Sequence, residues 1–226
     1  MNKKLAIDIY RAEIPVFEES KFKFNEEDPE APRSLMKLNL RRYPEGKLTN
    51  KLIEEITREF VKTIRGKKIK FDLVVGLPRA GEPFAEKFVE VWNKEYSDKK
   101  KIIYLEKGVI AGKRRILEKI KGEFSAGDIV LMIDDVISLA HSKVEAAKAL
   151  RKNGLIVTHC SVLMDWELGG VSILKNNGIE IIRECTATEF LKIWKGACLI
   201  AKKKIDDIIK RRDEIKDYNE KRRASA

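Results

Sequence analysis

Five short apolar runs, rich in β-branched residues, limit the fold more than any other feature of this sequence. They are FDLVVG (71–76), IIYLEK (102–107), DIVLMID (128–134), LIVTHCSVLMD (155–165) and IEIIREC (179–185). Each has the length of a strand. Most carry apolar residues at consecutive positions, so both faces of the strand need cover. Helical patterns fill most of the gaps between them. In LTNKLIEEITREFVKTIRG (48–66), Leu52, Ile53, Ile56, Phe60, Val61 and Ile64 follow helical spacing, with Thr49 or Asn50 to cap the start and Gly66 to end it. EPFAEKFVEVWNKEY (82–96) is also helical, as is SKVEAAKALRKNG (142–154), with Ser142 as cap and Gly154 as terminator. GGVSILKNNG (169–178) is a shorter helix. The alternation predicts an α/β fold: a doubly wound, mainly parallel sheet of about five strands with helices on both faces, plus a long C-terminal helix from about Thr188 into the 210s.

The remaining segments are less regular. Residues 1–32 read as an N-terminal arm, with FEESKFKFNEEDPEAPR (17–33) irregular. KGVIAGKRRILEKIKGEFSAGD (107–128) has no clear period and reads as a long loop able to move. That leaves 33–190 as the main domain and 191–226 as a basic helical extension. In the extension, residues 202–223 hold ten bases and six acids, a net of +4. A solvated helix face with i,i+4 ion pairs explains such a run, and a nucleic-acid contact is the alternative. The whole chain carries a net charge of +11 with 37% charged residues, which suits anionic partners as well as a Lys- and Glu-rich surface. The three cysteines are widely spaced with no CxxC, so neither a disulfide framework nor a zinc site is expected. No apolar stretch approaches the ~20 residues of a membrane span, and MNKKLAIDIYRAE lacks the pattern of a signal peptide. The expectation is a cytoplasmic protein without membrane contact.

The chemistry gathers at VLMIDDVISLAHSKVE (130–145). Asp134 and Asp135 end an apolar run, and in an open parallel sheet ligands bind at the carboxyl ends of strands. A helix beginning near Ser142 would point its N-terminus to the same place, offering free N–H groups and the positive end of its dipole to a phosphate. Ser138 and Ser142 add hydroxyls. Acids for hydroxyl groups or a divalent metal thus lie beside an anion cradle, a combination suited to a sugar phosphate. The plainer alternative is a strand whose terminal acids only cap the next turn.

Wider context favours the first. VLMIDDVISLAHSKVEA resembles the phosphoribosyl-diphosphate motif of the type I phosphoribosyltransferases. Four other stretches are similar, in order, to the orotate phosphoribosyltransferase branch: FDLVVGLPRAGEPFAEKF, GEFSAGDIVLMIDDV, VLMDWELGGVSILKNNGIEI and TATEF. RSLMKLNLRR (33–42) looks like a worn copy of that branch's early Ser-Pro segment, so the resemblance spans residues 33–190.

The resemblance implies transfer of ribosyl phosphate from phosphoribosyl diphosphate to a nucleobase. Asp134 and Asp135 would hold the ribose hydroxyls, and Ser138, Leu139, Ala140, His141 and Ser142 would cradle the 5′-phosphate. Arg79, Ala80 and Gly81 would face the pyrophosphate, approached also by Lys107. The basic loop would act as a lid, with Lys113, Arg114 and Arg115 supplying charge. Mg2+ would sit largely on the substrate's own oxygens, with no dedicated protein ligand. A homodimer is implied, since lids in this family serve the neighbouring subunit, and the C-terminal helix would be free to pack across that interface. The departures are specific. The family loop reads Thr-Thr-Gly-Gly where this chain has Ser138-Leu139-Ala140-His141. Glu106 replaces a basic residue, and Ile110 and Gly112 stand where the lid has lysine and histidine. Trp166 stands where the family has the arginine that contacts orotate; an indole stacks on a ring and does not pair a carboxylate. Three functions remain open: a phosphoribosyltransferase with altered base specificity, a non-catalytic nucleotide or sugar-phosphate binder, and a nucleic-acid-binding module.

Overall fold

The computed structural model describes residues 1–17, 22–24, 28–110 and 112–224, the side chains of Ile110, Lys113 and Arg114 excepted. Helix α1 (Lys3–Arg11) opens the chain, followed by a two-residue ladder of β1 (Pro15–Val16) and β2 (Lys37–Leu38). Then come α2 (Asn50–Gly66), β3 (Leu73–Gly76), α3 (Glu82–Glu95), β4 (Lys101–Ile110) and β5 (Lys113–Lys121). After these lie β6 (Ile129–Ile137), α4 (His141–Lys152), β7 (Ile156–Asp165), α5 (Gly170–Asn176), β8 (Glu180–Thr186), α6 (Ala187–Gly196) and α7 (Lys202–Ala224).

Among the described residues the main sheet has six strands, in the order β5-β4-β3-β6-β7-β8. All neighbours pair in parallel except the edge hairpin β4–β5. Consecutive apolar residues enter two different cores. Val74, Leu131, Ile133 and Leu163 pack against α1, α2, α3, α6 and α7; Leu73, Val75, Val130, Met132 and Val162 pack against α4 and α5. Two-sided burial is the physical reason the strands read as unbroken apolar runs. Thr49 caps α2 by accepting from the Leu52 N–H at 3.2 Å, and the helix buries Ile53, Ile56, Phe60 and Ile64. Each such side chain contributes about 1.5–3 kcal/mol, and Phe60→Ala would cost about 3–5 kcal/mol.

Four expectations are corrected. The segment read as a mobile loop is the β4–β5 hairpin, which raises the sheet from about five strands to six. Its pattern is half-buried: Ile116 is buried beside α4, while Glu118 and Lys119 face solvent, so no continuous apolar run marked it. The long C-terminal helix is present as α7 but begins at Lys202 and not near Thr188, whose stretch forms the separate helix α6; between them Cys198 adopts a left-handed φ of 55°. Helix α4 starts at His141, capped by Ala140 rather than by Ser142. Within the arm, residues 3–11 are helical, and Leu5, Ala6 and Ile9 join the first core; residues 18–21 and 25–27 lie outside the described residues. The basic run of α7 also reaches this core through Ile205, Ile208 and Ile215. Among the described residues no helix is long and apolar enough to cross a membrane.

Candidate functional site

Parallel pairing brings the ends of β3, β6 and β7 to one edge of the sheet, since Gly76 pairs with Ile133 and Ile137 with Asp165. A cavity of about 880 Å³ opens there, within the ~300–1,000 Å³ usual for small-molecule sites.

Asp134 and Asp135 line it from the C-terminal half of β6, which does not stop at Asp134 as expected but stays paired with β7 as far as Ile137. Asp134 is 6% exposed; its Oδ2 accepts from Lys143 Nζ at 2.6 Å and its Oδ1 from the Asp135 N–H at 2.9 Å. The same ammonium donates to the Val136 carbonyl at 2.6 Å. Lys143 lies in the first turn of α4, where the helix dipole disfavours a cation, so the carboxylate beneath it is what holds it there. Burial works against the Lys143 charge, but the Asp134 carboxylate, aided by Cys160 and Asp135, outweighs it and raises the pKa above the ordinary value. Asp135 is half-buried, and its Oδ1 accepts from the Val136 N–H at 2.7 Å. Burial, and next the charge of Asp134, push its pKa up to about 7 against the opposing pull of Lys143. One acid is thus locked into an ion pair, and its neighbour changes charge near neutrality.

The loop from Ser138 to Ser142 forms the next wall. Ala140 has φ 62°, and its carbonyl accepts from the N–H groups of both Lys143 and Val144. No side chain caps α4; among the described residues the N–H groups of His141 and Ser142 donate to nothing, and both residues line the cavity. The glycine-to-alanine difference in this loop therefore leaves the backbone turn in place, with Ala140 held left-handed at a cost of about 1–2 kcal/mol. Leu139 is 3% exposed and packs into the first core, so its side chain does not obstruct the cavity; His141 is exposed at the rim. Gly170, the first residue of α5, supports the loop from behind. A Cβ there would collide with the Ser138 carbonyl oxygen and lie 2.9 Å from Ile137 Cγ1.

The Arg79–Gly81 turn divides its tasks. Ala80 and Lys107 line the main cavity. Arg79 is exposed and, with Arg41, Ala80 and Lys107, lines an adjoining cavity of about 570 Å³. Gly81 is not among the residues lining either; a Cβ there would collide with the Ile133 carbonyl oxygen and lie 3.1 Å from Asp134 Cα, so its bare backbone lets the turn rest on β6 beside the acids. Of the three residues expected in a lid, Arg115 lines the main cavity and pairs with Glu145 at 3.9 Å; the side chains of Lys113 and Arg114 lie outside the described residues. Trp166 is 2% exposed, does not line the cavity, and packs against Phe24 with ring centroids 5.1 Å apart. The aromatic surface it was expected to present to a base is covered by Phe24, which does line the cavity.

Sequence reasoning missed the far wall: Lys23, Phe24, Asp28 and Arg222. Asp28 is 4% exposed and accepts from the Tyr218 hydroxyl at 3.0 Å and from Arg222, both on α7. A second anchor holds α7 over the loop after β7, where Arg212 donates to Glu167 Oε2 at 2.7 Å and Thr188 Oγ1 at 2.6 Å. Lys143 was missed too, although a lysine in a helix's first turn, against the dipole, is itself a sign of a carboxylate partner. Among the described residues no group of three or more His, Cys, Asp or Glu is placed to hold a metal ion; the carboxyl groups lining the cavity beside the 138–142 loop are Asp134, Asp135 and Glu145.

Paired acids, an open helix N-terminus and a separate cationic turn define a class: an α/β protein whose sheet edge suits a phosphorylated diol bearing a second anionic group. The family follows from comparison. A model of the phosphoribosyl transferase domain matches residues 46–188, and the chain belongs to that family. It is 31% identical over 149 residues to the uridine 5′-monophosphate synthase of Bos taurus, an alignment covering 63% of this chain and 28% of that protein. The solved structure of Leishmania donovani UMP synthase superposes with a TM-score of 0.75 and 26% identity over 94% of this chain and 42% of that one. Mycobacterium tuberculosis H37Rv orotate phosphoribosyltransferase, solved in complex with 5-phospho-α-D-ribosyl 1-diphosphate, shares the fold at TM-score 0.56 and 16% identity, over 83% and 90% of the two chains. The chain spans 28% to 51% of the length of the first curated relatives it matches.

Proposed function

We propose that this chain transfers ribosyl 5-phosphate from phosphoribosyl diphosphate to a ring nitrogen of a nucleobase. The observation that carries the proposal is the meeting, in one cavity, of the Asp134–Asp135 pair with the uncapped N-terminus of α4. The names of the relatives support the same chemistry, and the tuberculosis enzyme's complex supports the sugar diphosphate as ligand.

Asp134 and Asp135 would accept hydrogen bonds from the ribose 2′ and 3′ hydroxyls. The N–H groups of His141 and Ser142, with the Ser138 hydroxyl, would bind the 5′-phosphate. Lys107, Arg79 and the Ala80 backbone would bind the diphosphate. In the reaction the base nitrogen forms a bond to the anomeric carbon as the carbon–oxygen bond to diphosphate breaks. Diphosphate leaves with that electron pair, and the base nitrogen gives up its proton. Mg2+, bound chiefly by the substrate's own oxygens, would neutralise charge on the leaving diphosphate; the small number of carboxylates here fits that role and not an all-protein cage. Water has to be kept from an oxocarbenium-like carbon, a role for the hairpin that carries Arg115. A homodimer is part of the proposal, on family resemblance, and light scattering checks it.

The test is diphosphate release from phosphoribosyl diphosphate with Mg2+ and a panel of nucleobases including orotate, for the wild type and Asp135→Asn. Base-dependent release that falls in the variant supports transfer. Thermal stabilisation by phosphoribosyl diphosphate without turnover on any base would favour the non-catalytic binder, and absence of both would refute the site assignment.

A further inference from the structure

The direction from which an acceptor enters is fixed by the order of the strands, given the proposed function. In-line displacement at the anomeric carbon places the incoming nitrogen opposite the departing diphosphate. The diphosphate side of this cavity is the β3–β4 side, where Ala80 and Lys107 stand. Asp134 and Asp135 lie in the middle, on β6. The opposite side is the β7 side, where Phe24 covers Trp166 and α7 crosses the loop after β7. An acceptor base therefore meets Phe24 and Arg222, neither of which falls within the stretch matched by the family model.

Arg222 has the geometry of a reader rather than of a mere strut. Its Nη1 pairs with the buried Asp28 carboxylate and donates to the Tyr218 hydroxyl at 3.4 Å. Nε and Nη2 make no hydrogen bond among the described residues, and the side chain is 59% exposed while lining the cavity. Asp28 in turn is held by Tyr218 and by the Glu30 N–H at 3.1 Å, so the guanidinium is anchored through one nitrogen. A fork with two free donors, beside an aromatic face, suits a planar ring that carries a carboxylate. Phe24 offers the face, and the other cation of this wall, Lys23, spends its ammonium on the Asp28 and Pro29 carbonyls.

We infer that Arg222, supplied by the C-terminal helix α7, determines acceptor specificity by binding an anionic substituent of the nucleobase while Phe24 packs on its ring. Trp166, standing where the resemblance places an orotate-binding arginine, leaves charge recognition to Arg222, 56 positions later in the chain.

Calorimetric titration with ribose 5-phosphate, uridine 5′-monophosphate and orotidine 5′-monophosphate tests this, the two nucleotides differing by one ring carboxylate. The wild type is expected to favour the carboxylate-bearing nucleotide by about tenfold or more. Arg222→Gln should erase that preference and leave ribose 5-phosphate affinity within about twofold. Arg222→Lys should keep part of the preference, since it retains charge without the fork. Tyr218→Phe, which loosens the Asp28 anchor from outside the cavity, should keep most of it. The inference is overturned if the wild type shows no preference, if Arg222→Gln preserves it, or if Tyr218→Phe abolishes it as completely as Arg222→Gln. Binding of ribose 5-phosphate without either nucleotide would overturn this inference alone, whereas failure of ribose 5-phosphate itself to bind would overturn the sugar-phosphate site beneath it.

Discussion

Replacing Lys143 alone should cost the fold more than replacing both members of its buried pair with Asp134. The side chains are 4% and 9% exposed, with Nζ at 2.6 Å from both Asp134 Oδ2 and the Val136 carbonyl. Lys143→Met keeps much of the volume and leaves a carboxylate buried without its cation. Breaking such a pair costs about 3–5 kcal/mol, a large share of the ~5–15 kcal/mol that holds a domain together. At about 2–4 °C per kcal/mol for a chain of this size, the melting temperature should fall by about 6–20 °C. The double variant Asp134→Leu, Lys143→Met removes both charges and should recover part of the loss, with the Val136 carbonyl still lacking its donor. Urea titrations of the wild type, both single variants and the double variant close the cycle. The double variant should still lose sugar-phosphate binding, because the acceptor is gone. A Lys143→Met penalty below about 1 kcal/mol, typical of a solvent-screened pair, would refute the account, as would a double variant that costs the sum of the singles.

Other consequences follow from the same geometry. Asp135, with its folded pKa raised from 3.8 to about 7, binds a proton more readily folded than unfolded, so its share of stability is present in acid and lost as pH rises between those values; Asp135→Asn should flatten that slope by up to about 1.4 kcal/mol per pH unit in urea titrations across the window. Gly170→Ala should push the Ser138 carbonyl out of place, costing about 1–3 kcal/mol and weakening ribose 5-phosphate binding while leaving the far wall intact, as read by melting and calorimetry. Ala140→Gly, at a position already left-handed, should stabilise the chain by up to about 1 kcal/mol without weakening phosphate binding; destabilisation would mean the turn is not strained.

Those features that announce themselves locally could be read before folding was considered. A strand buried on both faces needs consecutive apolar side chains, so β3, β6 and β7 were plain. An acid pair at a strand's end followed by a helix start places a site by backbone geometry alone, and Asp134, Asp135 and the 138–142 loop do line one cavity. The hairpin strand β5 was hidden because its outer face is solvated and its bases masked the alternation around Ile116 and Ile120. The break between α6 and α7 was hidden because apolar spacing persists through Leu199 and Ile200, although Gly196 and the left-handed Cys198 end the first helix.

Nothing local could have revealed the far wall. Asp28 and Arg222 are 194 residues apart, and each on its own looks like a surface charge in a charged segment. Their meeting depends on α7 turning its isoleucines into the first core and fixing Arg212 on Glu167, which carries the last turns of the helix across the sheet edge. The cavity is therefore built from two kinds of sequence. Its acid-pair end is held by backbone groups and by contacts close in the chain, such as the Lys143–Asp134 bond across nine residues. Its other end is assembled from Lys23, Phe24 and Asp28, early in the sequence, and Arg222, late in it, all distant in the chain from the acid pair and the α4 amides. Under the proposed transfer, a scaffold divided in this way can keep the donor and alter the acceptor, so the acceptor's identity has to be sought in Lys23, Phe24, Asp28 and Arg222 rather than in the 130–145 motif.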